Sequence, residues 1–127
     1  MLGFQPYQVL MEQMYKHHIF ISPSVTAKDG DTEGGAPVSI IEASASGMPV
    51  VSTTHCDIPE VVQYDNQDWL VPEYDVENLV ERMKWLIEHK RELGKMLYKE
   101  RKHLEKEFDA RIQGEKLGMI YLRCYTK

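Results

Sequence analysis

Residues 31–53 read DTEGGAPVSIIEASASGMPVVST: a polar, glycine-rich turn, then a small-residue helix, then an apolar strand. Each step has a local cause. Gly34 and Gly35 suit a turn that L side chains resist. Pro37 presets the φ of a first helical residue and lacks only an N–H that would be unpaired there. The helix then runs from Pro37 to Ser46, and Gly47 stands just past its end, where glycine closes helices. Met48–Thr53 is too short for a helix and reads as a buried strand.

The pattern extends in both directions. Upstream, IFISPSV (Ile19–Val25) is a short apolar run closed by Pro23, a second buried strand. Before it, Tyr7–His17 sets Val9, Leu10, Met14 and Tyr15 on one helical stripe behind Pro6. Downstream, IPEVVQ adds a helical turn, WLVP (Trp69–Pro72) a third strand, and Asp75 an N-cap. Val76–His89 repeats Leu79, Val80, Met83, Leu86 and Ile87 at helical spacing. A charged helix from Arg91 to Glu107 follows, whose alternating signs mark a solvated face, then a last helix, Ala110–Tyr125, with Ile112, Leu117, Ile120, Tyr121 and Cys124. Strands alternating with helices predict an α/β fold with a parallel sheet and right-handed crossovers. Three strands are few for a sheet covered on both faces. The expectation is therefore the second half of a doubly wound, Rossmann-like domain: about three parallel strands with flanking helices. Ligands in such sheets bind beyond the carboxyl ends of the strands, where the loop from Ser24 to Ala36 falls.

The chain has 127 residues, enough for one domain of ordinary size. Its net charge of −5 argues against nucleic acid as a partner, which needs a basic face. Cys56 and Cys124 stand alone, without the spacing of a zinc site or a disulfide framework, so reduced thiols and a cytoplasmic location are expected. No cluster at metal-ligand spacing occurs, so neither a metal nor a cofactor is expected. No apolar run approaches the roughly 20 residues of a membrane helix, and MLGFQPYQVL lacks the regions of a signal peptide.

The chemistry concentrates around the Gly34–Gly35 turn. Bare backbone followed by a helix start, with its unpaired N–H groups and partial positive charge, outlines an anion site for a phosphate or diphosphate. The plainer alternative is that the glycines only make the turn. Counting 100° per residue from Val38, Ile41 and Ala45 fall on the inner side of the helix, with Glu42 about 40° away on the same half. Glu42 lies about 7.5 Å along the axis from Pro37, suited to accepting hydrogen bonds from ligand hydroxyls. It is equally readable as an edge carboxylate reaching solvent. Glu33, before the glycines, is either a hydroxyl acceptor or a solvated loop charge like Asp29 and Asp31. His55, Cys56 and Asp57 follow the second strand without a general base at a set spacing, and read as a loop above the pocket. His17 and His18 read as a helix terminus.

With SPSVTAKDGDTEGGAPVSIIEASASGMPVVSTTHCDIPEVV in view, the chain resembles the carboxyl-terminal, donor-binding domain of retaining GT-B glycosyltransferases. This is the glycosyltransferase 4 class, glycosyl transferases group 1. The likeness runs from about Gly3 to Tyr125 and is most specific between Ser22 and Val62. There "PS", an acidic loop, "EG", "EASASGMPVVST" and "IPEVV" occur in the family's order.

The resemblance implies transfer of a sugar from a UDP- or GDP-sugar to an acceptor hydroxyl, with retention, in polysaccharide or glycoconjugate synthesis. It implies that Glu33 bonds a donor-sugar hydroxyl as the catalytic-site glutamate and that Glu42 holds the ribose. Gly34, Gly35 and Ala36 would contact sugar and diphosphate, with Val38 completing the substrate-binding set. It further implies that residues 1–127 are part of a nucleotide-sugar-binding domain, that the amino-terminal acceptor domain and the first strands lie outside this chain, and that the chain alone lacks transferase activity. Any peripheral membrane association would come through the whole enzyme. Glu33 and Glu42 stand one residue further apart than the family's pair, which leaves Glu42 the firmer assignment. NQDWLVP also lacks the glycine usual before the third strand.

Two other classes remain open at this point. A non-catalytic α/β binding module could keep the fold without the reaction. A receiver-like domain could use Asp29, Asp31 and Asp57, although IFISPS ends in serines where that fold needs an acid.

Overall fold

The computed structural model of the chain describes residues 3–32, 34–64 and 69–125. Its elements run α1 (Tyr7–Lys16), β1 (Phe20–Ser22), α2 (Val38–Ala45), β2 (Val50–Ser52), α3 (Ile58–Val61), α4 (Val76–Glu88), α5 (Leu93–Glu107) and α6 (Ala110–Tyr125). Strands β1 and β2 pair in parallel, with Phe20 opposite Val50, Ile21 opposite Val51 and Ser22 opposite Ser52. The long connection through α2 is the crossover that parallel pairing demands.

Among the described residues the sheet has two strands where three were expected. The third run pairs only through Val71, whose N–H donates to the Ser52 carbonyl at 3.2 Å and whose carbonyl accepts from the Thr54 N–H at 2.9 Å. Side chains explain why the ladder stops there. The Trp69 indole N–H donates to the Val50 carbonyl at 2.7 Å, and the Tyr64 hydroxyl accepts from the Val50 N–H at 2.9 Å. Two aromatic side chains thus satisfy the backbone of Val50 on the side facing this run. Beyond Val71, Pro72 brings no donor, and Tyr74 at φ 67° turns the chain away.

The core lies between sheet and helices. Ile40, Val50, Val51, Ile58, Val61 and Leu86 are almost wholly excluded from solvent. Full burial of such an aliphatic side chain contributes about 1.5–3 kcal/mol, so these positions dominate the stability of the unit. Trp69 stands edge-on to both Tyr64 and Trp85, at 5.2 and 5.5 Å between centroids. Helix α5 packs across α2, burying Leu104 and Glu100. Helix α1 buries only Met14 of its expected stripe, leaving Leu10 and Tyr15 exposed. Helix α6 buries none of its residues, so Leu117, Ile120 and Tyr121 face outward. Among the described residues, no helix is long and apolar enough to cross a membrane.

Helix α2 ends as its sequence requires. Gly47 adopts φ 83°; its N–H donates to the Ser44 carbonyl at 3.0 Å, and the Met48 N–H to the Ala43 carbonyl at 3.1 Å. This 5→2 and 6→1 pair is a Schellman closure, with Met48 folding back toward Ala43. Arg101 of α5 adds a guanidinium hydrogen bond to the Ala45 carbonyl, placing positive charge at the negative helix end. The buried face of α2 is Ile40, Ala43 and Ser44, with Ile41 and Ala45 only half-buried. This corrects the inner stripe assigned from spacing. A helix apolar almost all round carries no stripe of its own, and the sheet and α5 choose the face.

A Cβ at position 47 would meet no atom within 4 Å, so Gly47→Ala tests backbone conformation without a steric clash. It is expected to lower unfolding stability in urea by roughly 1 kcal/mol, the cost of a left-handed residue with a side chain; an unchanged midpoint contradicts the closure. Glu100 supplies a pH test. Its Oε2 accepts from the Gln63 N–H at 3.0 Å while its Oε1 is buried without a partner, and burial pushes the carboxyl up to about 7 against the weaker pulls of that N–H and His103. The folded state therefore holds this proton more tightly than the unfolded chain. Its stabilisation is full below about pH 4.5 and is lost as pH rises through about 7. Glu100→Gln mimics the protonated acid. Denaturation at pH 5 and pH 8 should find it near parity with the unaltered chain at pH 5 and more stable, by up to about 3 kcal/mol, at pH 8; equal differences at both pH values refute the assignment.

Candidate functional site

Three loops leave the carboxyl ends of β1, β2 and the Val71 bridge, and they are tied to one another by side chains. After β1, the Ser24 carbonyl accepts from the Thr53 hydroxyl at 2.5 Å, and the Ser22 carbonyl from the Ser52 hydroxyl at 2.6 Å. The Thr26 N–H donates to Oε2 of Glu73 at 2.7 Å. The other oxygen of the same carboxylate, Oε1, meets Nδ1 of His55 at 2.8 Å. Tyr74 closes the ring with a hydroxyl hydrogen bond to the Thr26 carbonyl. One carboxylate thus holds a backbone amide of the first loop and an imidazole of the second.

The electrostatics follow from these contacts. The Thr26 N–H, then the His55 ring, hold the Glu73 carboxyl below the usual carboxylate range. An ionised Glu73 only accepts, so Nδ1 of His55 donates to it, and in the neutral ring this leaves the lone pair on Nε2. The thiol of Cys56 donates into that lone pair at 3.3 Å. His55 is 2% exposed, whereas Cys56 is exposed and held at φ 45°. Cys56 and Tyr74 (φ 67°) are the two non-glycine residues with positive φ among those described, and they flank the ring formed by Thr26, His55 and Glu73.

The glycine turn lies beside this ring. Gly34 and Gly35 take φ 59° and 70°, both left-handed, so the turn itself requires glycine. Gly35 faces the second loop: a Cβ there would stand 3.9 Å from Oδ2 of Asp57. Helix α2 then begins without a side-chain cap at Pro37, and Val38 in its first turn is 64% exposed. The acidic loop folds on itself, Asp31 accepting from the Thr32 N–H at 3.0 Å and Asp29 from the Asp31 N–H at 3.2 Å. Neither carboxylate is presented by a strand end as a receiver pocket would need.

Of the residues assigned from sequence, Glu33 lies outside the described residues. Gly34, Gly35 and Val38 are exposed at the mouth, and Ala36 is half-buried against the core. Glu42 is half-buried but is not beside the buried stripe. At about 100° per residue it points some 155° from the Ile40, Ala43 and Ser44 face. It instead accepts a hydrogen bond from the Tyr7 hydroxyl of α1, which raises the Tyr7 phenol above its ordinary value. A carboxylate has acceptor sites beyond the one Tyr7 takes. The pairing of His55 with Glu73 escaped the reading from sequence, in which His55 was part of a loop above the pocket; the two stand eighteen residues apart, with no periodicity to link them. His17 does close α1, its ring nitrogen 2.6 Å from the Gln13 carbonyl. Among the described residues, no group of three His, Cys, Asp or Glu side chains is placed to hold a metal ion.

The arrangement offers an anion bare backbone and a helix start. The chain is 37% identical over 121 residues to an Escherichia coli strain K12 protein whose name assigns it to colanic acid biosynthesis as a glycosyltransferase, covering 94% of this chain and 30% of that protein. It is 35% identical over 123 residues to the amylovoran biosynthesis glycosyltransferase of Erwinia amylovora, covering 97% of this chain and 30% of that one. A GDP-mannose-dependent monoacylated alpha-(1-6)-phosphatidylinositol monomannoside mannosyltransferase of Corynebacterium glutamicum is 30% identical over 119 residues, 94% of this chain and 31% of that protein. The chain thus spans about 30% of the length of these relatives. The family model for glycosyl transferases group 1 matches residues 1–106, and the chain belongs to that family.

Proposed function

We propose that this chain is the donor-binding part of a retaining GT-B glycosyltransferase, moving a sugar from a nucleoside diphosphate sugar to an acceptor hydroxyl in polysaccharide or glycoconjugate synthesis. One observation carries the reading: the left-handed Gly34–Gly35 turn delivers bare backbone to the uncapped start of α2 at the carboxyl end of the sheet. Negative charge grows on the departing diphosphate during transfer, and donors already aimed at it stabilise that charge without reorganising. The first-turn N–H groups of α2 supply such donors, although Pro37 contributes none.

Glu42 takes the ribose hydroxyls in this scheme, one turn further along α2 and on its outward side. Glu33 takes a hydroxyl of the transferred sugar, and Gly34, Gly35, Ala36 and Val38 line the path between. The Thr26–Glu73–His55 ring keeps the loops from spreading, so the donor meets a preformed mouth. The relative named for a GDP-mannose-dependent reaction supports a nucleotide-sugar donor, and the donor proposed here is a UDP- or GDP-sugar. The acceptor site belongs to an amino-terminal domain outside this chain, and the reaction needs neither a metal nor a further cofactor. A cytoplasmic setting, where nucleotide sugars are made, suits it.

The ribose role of Glu42 is testable by calorimetric titration with UDP- and GDP-sugars, using the chain extended by its upstream strands. Glu42→Ala is expected to weaken binding about tenfold or more, the loss of a charged hydrogen bond; unchanged affinity removes Glu42 from the site.

A further inference from the structure

Cys56, His55 and Glu73 form a continuous relay; the proposed sugar transfer draws on His55 and Glu73 only to hold the loops and makes no use of the thiol. The exposed thiol donates to Nε2 of His55 at 3.3 Å, and Nδ1–H of the same buried ring donates to Oε1 of Glu73 at 2.8 Å. Glu73 is fixed in turn by the Thr26 N–H at 2.7 Å, so the carboxylate cannot rotate away without losing that bond. A nucleophile, a base within hydrogen-bond reach and a third group orienting the base is the arrangement that activates thiols in covalent chemistry. The tautomer matters most. Because Glu73 only accepts, it holds a proton on Nδ1, and the neutral ring then turns its lone pair, not a proton, to the sulfur.

We propose that Cys56 is a nucleophilic thiol activated by His55 and Glu73, and that it exchanges with low-molecular-weight disulfides to carry a mixed disulfide on the β2 loop. In the exchange the thiol proton passes to Nε2 of His55. The sulfur attacks one sulfur of the disulfide R–S–S–R, forming the new S–S bond as the old one breaks. The leaving thiolate R–S⁻ recovers the proton from His55 and departs as R–SH: Cys56 is oxidised to the mixed disulfide, one sulfur of R–S–S–R is reduced, and the disulfide itself is the oxidant consumed. Buried His55 and Glu73 stay in place while exposed Cys56 carries the adduct into solvent.

Cys124, exposed on α6, is the internal reference. The full chain is incubated with oxidised glutathione and the two mixed disulfides are followed by peptide mass spectrometry. Cys56 is expected to react about tenfold faster than Cys124 or more; equal rates, or a faster Cys124, overturn the proposal. In Glu73→Gln the amide oxygen can still accept from Thr26, which turns the amide NH2 toward Nδ1 and forces the proton onto Nε2. The Cys56 rate should then fall to that of Cys124. A rate unchanged by Glu73→Gln overturns the relay even if the unaltered chain reacts quickly.

Discussion

The carboxylate of Glu73 ties together three loops of the strand-end face. Its two oxygens take the Thr26 amide from the loop after β1 and the His55 ring from the loop after β2, while Glu73 itself sits on the loop after the Val71 bridge. Surface ion pairs are weak because both partners remain solvated and mobile. The Glu73 contacts differ in that His55 is buried and the Thr26 donor is a backbone amide. The sheet beneath is small, two strands and a bridge, so it constrains three loops poorly. The order of the mouth depends on the carboxylate above it.

That division of labour recurs through the molecule. Where backbone pairing would ordinarily extend the sheet, Tyr64 and Trp69 serve Val50 through side-chain hydrogen bonds and pack the same rings into the core. Where a helix end would leave carbonyls bare, Gly47 and Arg101 close α2. Side chains and turns thus complete a minimal sheet, and the strand-end face they create is where the glycine turn and the α2 start come to the surface. The family match, over residues 1–106, spans the turn, α2 and the loop after β2.

Much of this was legible in the sequence, for reasons that can be stated residue by residue. Local signals did well: Pro37 and Gly47 bracketed α2, Asp75 caps α4 through the Asn78 N–H at 3.0 Å, and α6 runs over the residues its pattern marked. Non-local choices were not legible. Helix α2 carries apolar residues on most of its surface, so only packing against α5 and the sheet could decide that Ile40 and Ala43 point inward and Glu42 outward. WLVP looked like a strand because Leu70 and Val71 are apolar, yet the strand positions opposite Val50 were taken by aromatic side chains. The pairing of His55 with Glu73 had no spacing to reveal it, and Glu33 lies outside the described residues.

The most direct measurement is amide hydrogen exchange at Thr26 in the unaltered chain and in Glu73→Ala. If Glu73 holds the loops, Thr26 exchange should quicken about tenfold or more in the variant, the loss of a charged hydrogen bond, while Val51 and Ile40 keep their protection. Thr26 exchange that is the same in both proteins would contradict the account, as would a uniform loss of protection across β2 and α2.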